Sequence, residues 1–176
     1  MTGMPPSHAR DVRAVEQLYP AQPADAPHLL ELRERAAAWL AARGVRQWEP
    51  GEVGIKVFRG QVEAGQWHVL RDSSGLVAAL RLLWEDETVW GPQPPTAAYV
   101  HGLVVAEQHR GSGVGGALLR WAADQARVRG RGLLRLDCSE ENQALRRYYL
   151  QQGLRAVGRR EFEGCWYPVV LLERAL

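Results

Sequence analysis

The run from Arg110 to Gly116, Arg-Gly-Ser-Gly-Val-Gly-Gly, has the composition of an anion-binding turn. It follows an apolar stretch, Tyr99 to Val105, that predicts a buried strand, and it leads into an amphipathic stretch, Gly115 to Arg129, that predicts a helix. Glycine permits positive φ angles and lets a ligand approach the backbone closely. Because the first N–H groups of a helix lack intrahelical partners and lie at the positive end of its dipole, this turn could bind a pyrophosphate.

Other interpretations of the turn fit less well. Gly111, Gly113 and Gly116 match the spacing of a dinucleotide-binding fingerprint, but about 100 residues precede them, and Asp137 is the only acidic residue at a suitable distance downstream. The Gly-Lys-Ser/Thr sequence of a P-loop is absent. A tight strand-to-helix connection without a ligand stays open as an alternative.

The elements around the turn predict a mixed domain with helices among strands. Residues 1–9 are aperiodic and predict a disordered tail, and residues 10–176 predict a single domain. Before the turn we expect a strand at 12–18, helices at 25–44 and 53–64, a strand pair at 67–71 and 76–84, and a loop at 85–96. After the turn we expect a strand at 133–138, a helix at 142–152 and a closing hairpin of 155–163 and 166–173.

Composition narrows the class of protein further. The chain has 176 residues, 46% hydrophobic and 24% charged, which is ordinary for one globular domain. A formal charge of +2 does not suggest a nucleic-acid partner, and no run of about 18 apolar residues suggests a membrane span. The N-terminus lacks the apolar stretch of a secretory signal, and two cysteines, Cys138 and Cys165, are too few for a disulfide scaffold. We therefore expect a reduced, cytoplasmic protein, and no spacing of potential ligands predicts a metal site.

Two blocks of sequence agree with one family pattern. Arg110, Gly113 and Gly115 fit Arg/Gln-x-x-Gly-x-Gly/Ala, and a downstream strand is followed by Asn…Tyr-x-x-x-Gly and an apolar residue. At this separation the blocks resemble the GNAT superfamily of acetyl-CoA-dependent N-acetyltransferases, with Leu154 where phenylalanine is common. The resemblance implies an α/β (α+β) fold: a mixed, mostly antiparallel sheet flanked by helices and splayed between the strands at 99–105 and 133–138. The second block comprises Leu134 to Cys138, Asn142, Leu145, Tyr149, Gly153 and Leu154.

The resemblance implies acetyl-CoA as cosubstrate. In the family, the strand before the glycine turn pairs through its backbone with the pantetheine arm, so Leu103 N–H is the expected donor to the thioester carbonyl. Asn142 matches a position that often contacts the arm, with a helix N-cap as the alternative. The cofactor-binding residues implied are Leu103, Val104, Val105, Arg110, Gly111, Ser112, Gly113, Val114, Gly115, Gly116, Asn142 and Tyr149.

Tyr149 matches the tyrosine that often protonates the departing CoA thiolate in this family. It is preferred to its neighbour Tyr148 because Gly153 follows it by four residues. A phenol has an ordinary pKa of about 10 and can serve a thiolate only when well positioned. Core packing is the alternative role.

The general base is less clear, because the strand position at which some members carry glutamate is Tyr99 here. His101 lies two residues on, so it shares a face with Tyr99 on a regular strand. A histidine is suited to act as a base near neutrality, although a structural histidine in the sheet is an alternative. Trp48 is a candidate for the border of the acceptor site, with core packing as the alternative. Glu85, Asp86 and Glu87 are candidates to attract a cationic substrate, with a solvated hairpin as the alternative.

The resemblance predicts an N-acetyltransferase in which a primary amine attacks acetyl-CoA directly, through a tetrahedral intermediate. The amine could belong to a small molecule or a peptide. Cys138 is expected to pack in its strand rather than act as a nucleophile. The alternatives are an acyltransferase that uses a longer acyl-CoA or a hydroxyl acceptor, and a non-catalytic acyl-CoA-binding module. Family members often dimerise, so a homodimer is an open expectation, and neither a nucleic acid nor a membrane is expected as a partner.

Overall fold

The computed structural model describes residues 18–163 and 167–176. The predicted tail at 1–9, most of the predicted strand at 12–18, and Cys165 lie outside the described residues. No helix in the described part of the chain is both long and apolar enough to cross a lipid bilayer.

A mixed sheet forms the centre of the described structure, in the order β1-β2-β3-β4-β5-β7-β6. Only β4 and β5 pair in parallel; the other neighbours are antiparallel, as predicted. The strands are β1 Tyr19–Pro20, β2 Trp67–Asp72, β3 Gly75–Leu83, β4 Ala97–Val105, β5 Leu133–Ser139, β6 Arg155–Arg160 and β7 Val169–Ala175. The helices are α1 Ala26–Ala41, α2 Ile55–Glu63, α3 Glu87–Trp90, α4 Val114–Val128 and α5 Gln143–Gln151.

Helices cover both faces of the sheet because strand side chains alternate between them. Leu80 belongs to the core beneath α4 and α5, while its neighbour Ala79 belongs to the core beneath α1 and α2. Leu118 of α4 and Leu29 of α1 are almost completely buried on the two sides. Each such leucine contributes about 1.5–3 kcal/mol of burial free energy, so the two cores hold the sheet between the helix layers.

The feature that positions the site is the divergence of β4 from β5. Their pairing covers only Ala97–Val100 against Leu133–Leu136. Directly beyond it, β4 contains a bulge, since Ala79 lies opposite Val104 but Arg81 lies opposite His101. The expected splay between the strands is therefore confirmed.

The bulge requires a glycine at position 102. Its φ is +57°, and a Cβ there would lie 2.5 Å from the ring of Trp67. Both the left-handed conformation and the close contact exclude a larger residue without strain. The strand can thus turn away from β5 immediately after His101.

Most element boundaries agree with the sequence prediction to within two residues, but the loop predicted at 85–96 was wrong in part. It contains α3, whose N-cap Asp86 accepts a hydrogen bond from Val89 N at 3.2 Å. Trp90, at the end of α3, is buried beside Tyr99. A four-residue helix is too short to show a periodic pattern, which explains the miss.

Candidate functional site

The glycine turn has the backbone expected of an anion-binding loop. Gly111 and Gly113 have φ angles of +77° and +85°, and α4 begins directly after Gly113. No side chain caps the first N–H groups of α4, and a Cβ added at either glycine would meet no atom within 4 Å. These residues fit a pyrophosphate, since the helix N-terminus is open and its donors are not used by a side chain.

Arg110 adds a positive charge beside this turn. Its guanidinium lies over the ring of Trp39, with 4.4 Å from Cζ to the ring centroid, and its Nε donates to Val105 O at 3.4 Å. Its Nη1 is buried without a hydrogen-bond partner in the described structure. Because an unsatisfied buried donor is costly, an anion at this position would be stabilised. Arg110 and Trp39 also line a groove of about 680 Å³ that lies between α1, residues 74–76 and the residues that follow β4.

Leu103, Val104 and Val105 lie in β4 beyond the end of its pairing with β5. Their side chains pack on both sides of the sheet: Val104 belongs to the core under α1, and the other two contact the core under α4. The side chains of these three residues can pack in the cores while the backbone edge that β5 leaves unpaired stays accessible. A pantetheine arm could therefore pair with this edge in place of a strand.

Asn142 caps α5, which is the alternative that the sequence left open. Its Oδ1 accepts from Leu145 N at 3.0 Å, and its Nδ2 donates to Gln47 Oε1 at 2.9 Å. A side-chain amide has one further N–H and one further lone pair beyond these bonds. A contact with the pantetheine arm stays a prediction.

The two adjacent tyrosines of α5 occupy different places. Tyr148 lies against α4, so that a Cβ at Gly115 would be 2.6 Å from its hydroxyl oxygen. Tyr149 is buried in the core under α4 and α5, within electrostatic range of Cys138 and Asp137 of β5. Burial, with smaller effects of Cys138 and Asp137, raises the pKa of Tyr149 well above its ordinary value. The Tyr149 phenol therefore keeps its proton and can act as a donor at the gap.

Cys138, in β5, is a buried thiol rather than a nucleophile. Burial, together with the negative charge of Asp137, raises its pKa from near 9 to about 12. The reactive form of cysteine is the thiolate, which is scarce at neutral pH under these conditions. This supports direct attack on a thioester over an acyl-cysteine route.

We expect this buried thiol to make the protein sensitive to alkali. Above pH 9 the unfolded chain releases the thiol proton while the folded chain keeps it until pH 12, so the free energy of unfolding falls as the pH rises. The slope from this one group is up to about 1.4 kcal/mol per pH unit. Urea unfolding at several pH values from 8 to 10 measures it. Cys138→Ala should show a correspondingly shallower slope, and equal slopes in the two proteins would contradict the assignment.

His101 lies between two carboxylates at the point where the strands diverge. Its Nε2 is 2.9 Å from Asp86 Oδ2, and its Nδ1 is 3.3 Å from Asp137 Oδ1. The Asp86 side chain is 5% exposed, that of Asp137 18% and that of His101 20%. Burial raises the pKa of Asp137, while the neighbouring His101 lowers it and Asp86 raises it. The imidazole is thus oriented and reachable, as a general base must be.

A small cavity of about 70 Å³ opens beside His101 and Asp137. Gln47 and Trp48, from the connection between α1 and α2, line its outer side together with Tyr167. The structure therefore places Trp48 near His101. A role of Trp48 in holding the acceptor stays a prediction.

The other candidates near the base are positioned differently. The Tyr99 hydroxyl accepts from Arg135 Nη1 at 3.2 Å inside the core, and so Tyr99 is not available as a base. Glu85 and Glu87 are exposed. Of the three consecutive acidic residues, Asp86 contacts His101.

Sequence reasoning missed the roles of Asp86 and Asp137 as partners of one histidine. The signal for Asp137 is its position as an acidic residue between buried neighbours in β5. No comparable signal links Asp86 to His101, because the contact depends on how α3 packs. Among the described residues, no three histidine, cysteine, aspartate or glutamate side chains are grouped to hold a metal ion.

Comparison with known proteins agrees with this geometry. The family model described as Acetyltransferase (GNAT) family matches residues 22–154. The chain is 32% identical over 147 residues to the protein named uncharacterized N-acetyltransferase YesJ from Bacillus subtilis, covering 79% of this chain and 81% of that protein. A GNAT-family acetyltransferase structure from Streptococcus agalactiae matches with a TM-score of 0.75 at 18% identity, covering 91% of this chain and 95% of the other. The structure of yncA from Salmonella typhimurium with its cofactor acetyl-CoA matches with a TM-score of 0.67 at 18% identity, covering 90% and 92%. The chain belongs to the GNAT family of acetyltransferases.

Proposed function

We propose that this protein transfers an acetyl group from acetyl-CoA to a primary amine, and that the reaction takes place in the gap between β4 and β5. The observation that carries the proposal is the position of the gap. It lies between the uncapped N-terminus of α4 on one side and the His101 imidazole on the other. A cosubstrate held by its pyrophosphate at the turn would reach His101 along the backbone edge of Leu103 to Val105.

In the proposed reaction, the glycine turn and β4 bind the cosubstrate. The N–H groups of residues 111–116 and the guanidinium of Arg110 would hold the pyrophosphate. The backbone of 103–105 would pair with the pantetheine arm, and Leu103 N–H would donate to the thioester carbonyl. A backbone donor fixed by the bulge at Gly102 stabilises the oxyanion of a tetrahedral intermediate without reorganising.

The amine must lose a proton before it can attack. For an amine with a pKa of about 10.4, deprotonation at pH 7 costs about 4.6 kcal/mol. In the proposed reaction His101 takes that proton, the amine nitrogen bonds to the carbonyl carbon, and the carbon–sulfur bond breaks. Tyr149 gives its proton to the leaving thiolate. The second proton that the nitrogen sheds on becoming an amide restores the phenol, so that one proton is released to solvent overall.

Purified protein with acetyl-CoA and a panel of amines, followed by thiol release and product mass, tests the proposal. We expect amine-dependent release of CoA with an acetylated amine as product. Binding of acetyl-CoA without turnover on any amine would indicate a non-catalytic binding module instead. Faster turnover with a longer acyl-CoA, or with an alcohol, would identify one of the other acyltransferase classes.

The glycine turn supplies a separate prediction about binding. Valine at Gly113 would place its side chain in the open space over the turn, where the pyrophosphate is proposed to lie, and would also strain a φ of +85°. We expect Gly113→Val to weaken acetyl-CoA binding at least tenfold by titration calorimetry. Gly130→Val is the matched control, because Gly130 has a φ of +68°, equally open surroundings, and a place at the far end of α4. Unchanged affinity in folded Gly113→Val would remove the turn from the binding site.

A further inference from the structure

Asp86 is built to hold the imidazole of His101 in one orientation. Its two oxygens have separate partners: Oδ1 accepts from Val89 N at 3.2 Å, and Oδ2 lies 2.9 Å from His101 Nε2. A carboxylate is an acceptor only, so the hydrogen of this second bond belongs to Nε2. The neutral imidazole then carries its lone pair on Nδ1.

His101 and Asp137 both line the small cavity. The 3.3 Å between Nδ1 and Asp137 Oδ1 brings two acceptors together when the imidazole is neutral and the carboxyl is ionised. Such a pair is stabilised by a shared proton or by a cation that donates to both. Burial is the main cause of the raised pKa of Asp137, and the neighbouring His101 acts against it by favouring the carboxylate.

We propose that Asp86, His101 and Asp137 act as one unit in which Asp86 keeps the His101 proton on Nε2, while His101 Nδ1 and the Asp137 carboxylate together bind the acceptor as an ammonium ion. The inference rests on the proposed function and specifies its acceptor. Asp86 is a positioning residue, since it reaches the substrate only through His101. Asp137 is the specificity-determining residue.

An ammonium group matches this pair because it supplies several N–H donors from one atom. It donates to Asp137 and to Nδ1 at once, and the proton on the second bond passes to Nδ1, which leaves a neutral amine facing the gap. Another charged residue near this unit is Arg81, which lies opposite His101 in the β3–β4 register and donates through Nε to Gln66 Oε1 at 2.7 Å. Arg81 is close enough to Asp86 for the two charges to interact.

The same features define a class of acceptor. The cavity of about 70 Å³ can hold several water-sized groups, so it can admit the amino group of an acceptor and the carbon that carries it. A carboxylate on that carbon would face Asp137 at short range and be repelled. The unit therefore favours primary alkylamines over the α-amino groups of free amino acids.

Nitrogen-15 NMR of histidine-labelled protein tests the positioning role without any turnover. At pH 8 we expect the His101 proton on Nε2; its signals are assigned by their loss in His101→Gln. Asp86→Asn keeps an N-cap for α3, but its amide N–H would donate to Nε2 and move the proton to Nδ1. Glu87→Gln, one residue away and exposed, is the matched control and should leave the spectrum unchanged. A wild-type proton on Nδ1, or an unchanged tautomer in folded Asp86→Asn, would overturn the proposal.

Kinetics with a matched pair of probes test the specificity role. Butylamine and norvaline differ only by a carboxylate on the amine-bearing carbon. In the wild-type protein, kcat/KM should be at least tenfold higher for butylamine than for norvaline. Asp137→Asn should raise the KM for butylamine at least tenfold and reduce the difference in kcat/KM between the two amines. Asp86→Asn should lower kcat at least tenfold with KM little changed. Equal use of both probes, or an unchanged KM in Asp137→Asn, would overturn the proposal.

Different results would contradict the proposed function and the proposed binding unit. If neither probe nor any other amine is acetylated, the proposed function fails. Butylammonium chloride added without acetyl-CoA should then still shift the His101 Nδ1 resonance, and no shift in the wild type would overturn the binding unit itself.

Discussion

Replacement of His101 by glutamine should lower kcat by about 10²–10⁴-fold, the usual contribution of a general base. Glutamine keeps a polar contact with Asp86 but has no basic nitrogen. A histidine that acts as a general base gives the pH profile of activity an ascending limb, and the variant should lack this limb. The pH dependence of kcat/KM with an accepted amine measures both effects.

His28→Gln is a matched control for this experiment, since His28 is exposed on α1. A purely structural His101 would give a different pattern: the melting temperature of His101→Gln would fall while the pH profile stayed in place. Full activity with an unchanged ascending limb in the folded variant would remove His101 from the site. The base would then be sought at Asp137, whose carboxyl group belongs to the same cavity lining.

Substitution of Tyr149 by phenylalanine should lower kcat at least tenfold and change acetyl-CoA affinity little. The aromatic ring keeps the packing of this buried position, and only the hydroxyl is lost. Burial raises the pKa of Tyr149, so the wild-type phenol is protonated at neutral pH and can donate a hydrogen bond to the departing thiolate, which the phenylalanine cannot do. Single-turnover kinetics with calorimetry on the same protein separate the rate from the affinity.

The adjacent tyrosine gives this experiment its control. The Tyr148 hydroxyl lies against Gly115 in α4, so Tyr148→Phe should retain most of the rate. A wild-type rate in Tyr149→Phe combined with an inactive Tyr148→Phe would show that the donor is Tyr148. Loss of activity in both variants would indicate an effect on the packing of α5 against α4 instead of an effect on proton transfer.

The fold could be predicted from the sequence because its signals are local. The helix at α4 follows from apolar spacing after a glycine turn, and the divergence of β4 from β5 was implied by the family resemblance. The short helix α3 was missed because four residues beside a Gly- and Pro-rich stretch carry no periodicity.

The site was predictable only in part because its contacts are tertiary. His101 was a candidate from its place on β4, but the sequence does not show that Asp86 and Asp137 flank it from two other elements. The Asn142 amide was predicted at the right helix end, while its partner Gln47 is 95 residues away in the chain. Such pairings depend on packing that no local pattern encodes.

The most direct test of the account is a crystal structure of the protein with acetyl-CoA bound. We expect the pantetheine arm to lie between β4 and β5, with the pyrophosphate at the N-terminus of α4. The thioester carbonyl should accept from Leu103 N–H, and the sulfur should lie within hydrogen-bonding distance of the Tyr149 hydroxyl. A pantetheine arm placed instead in the groove of about 680 Å³ beside α1, away from His101 and Tyr149, would contradict it.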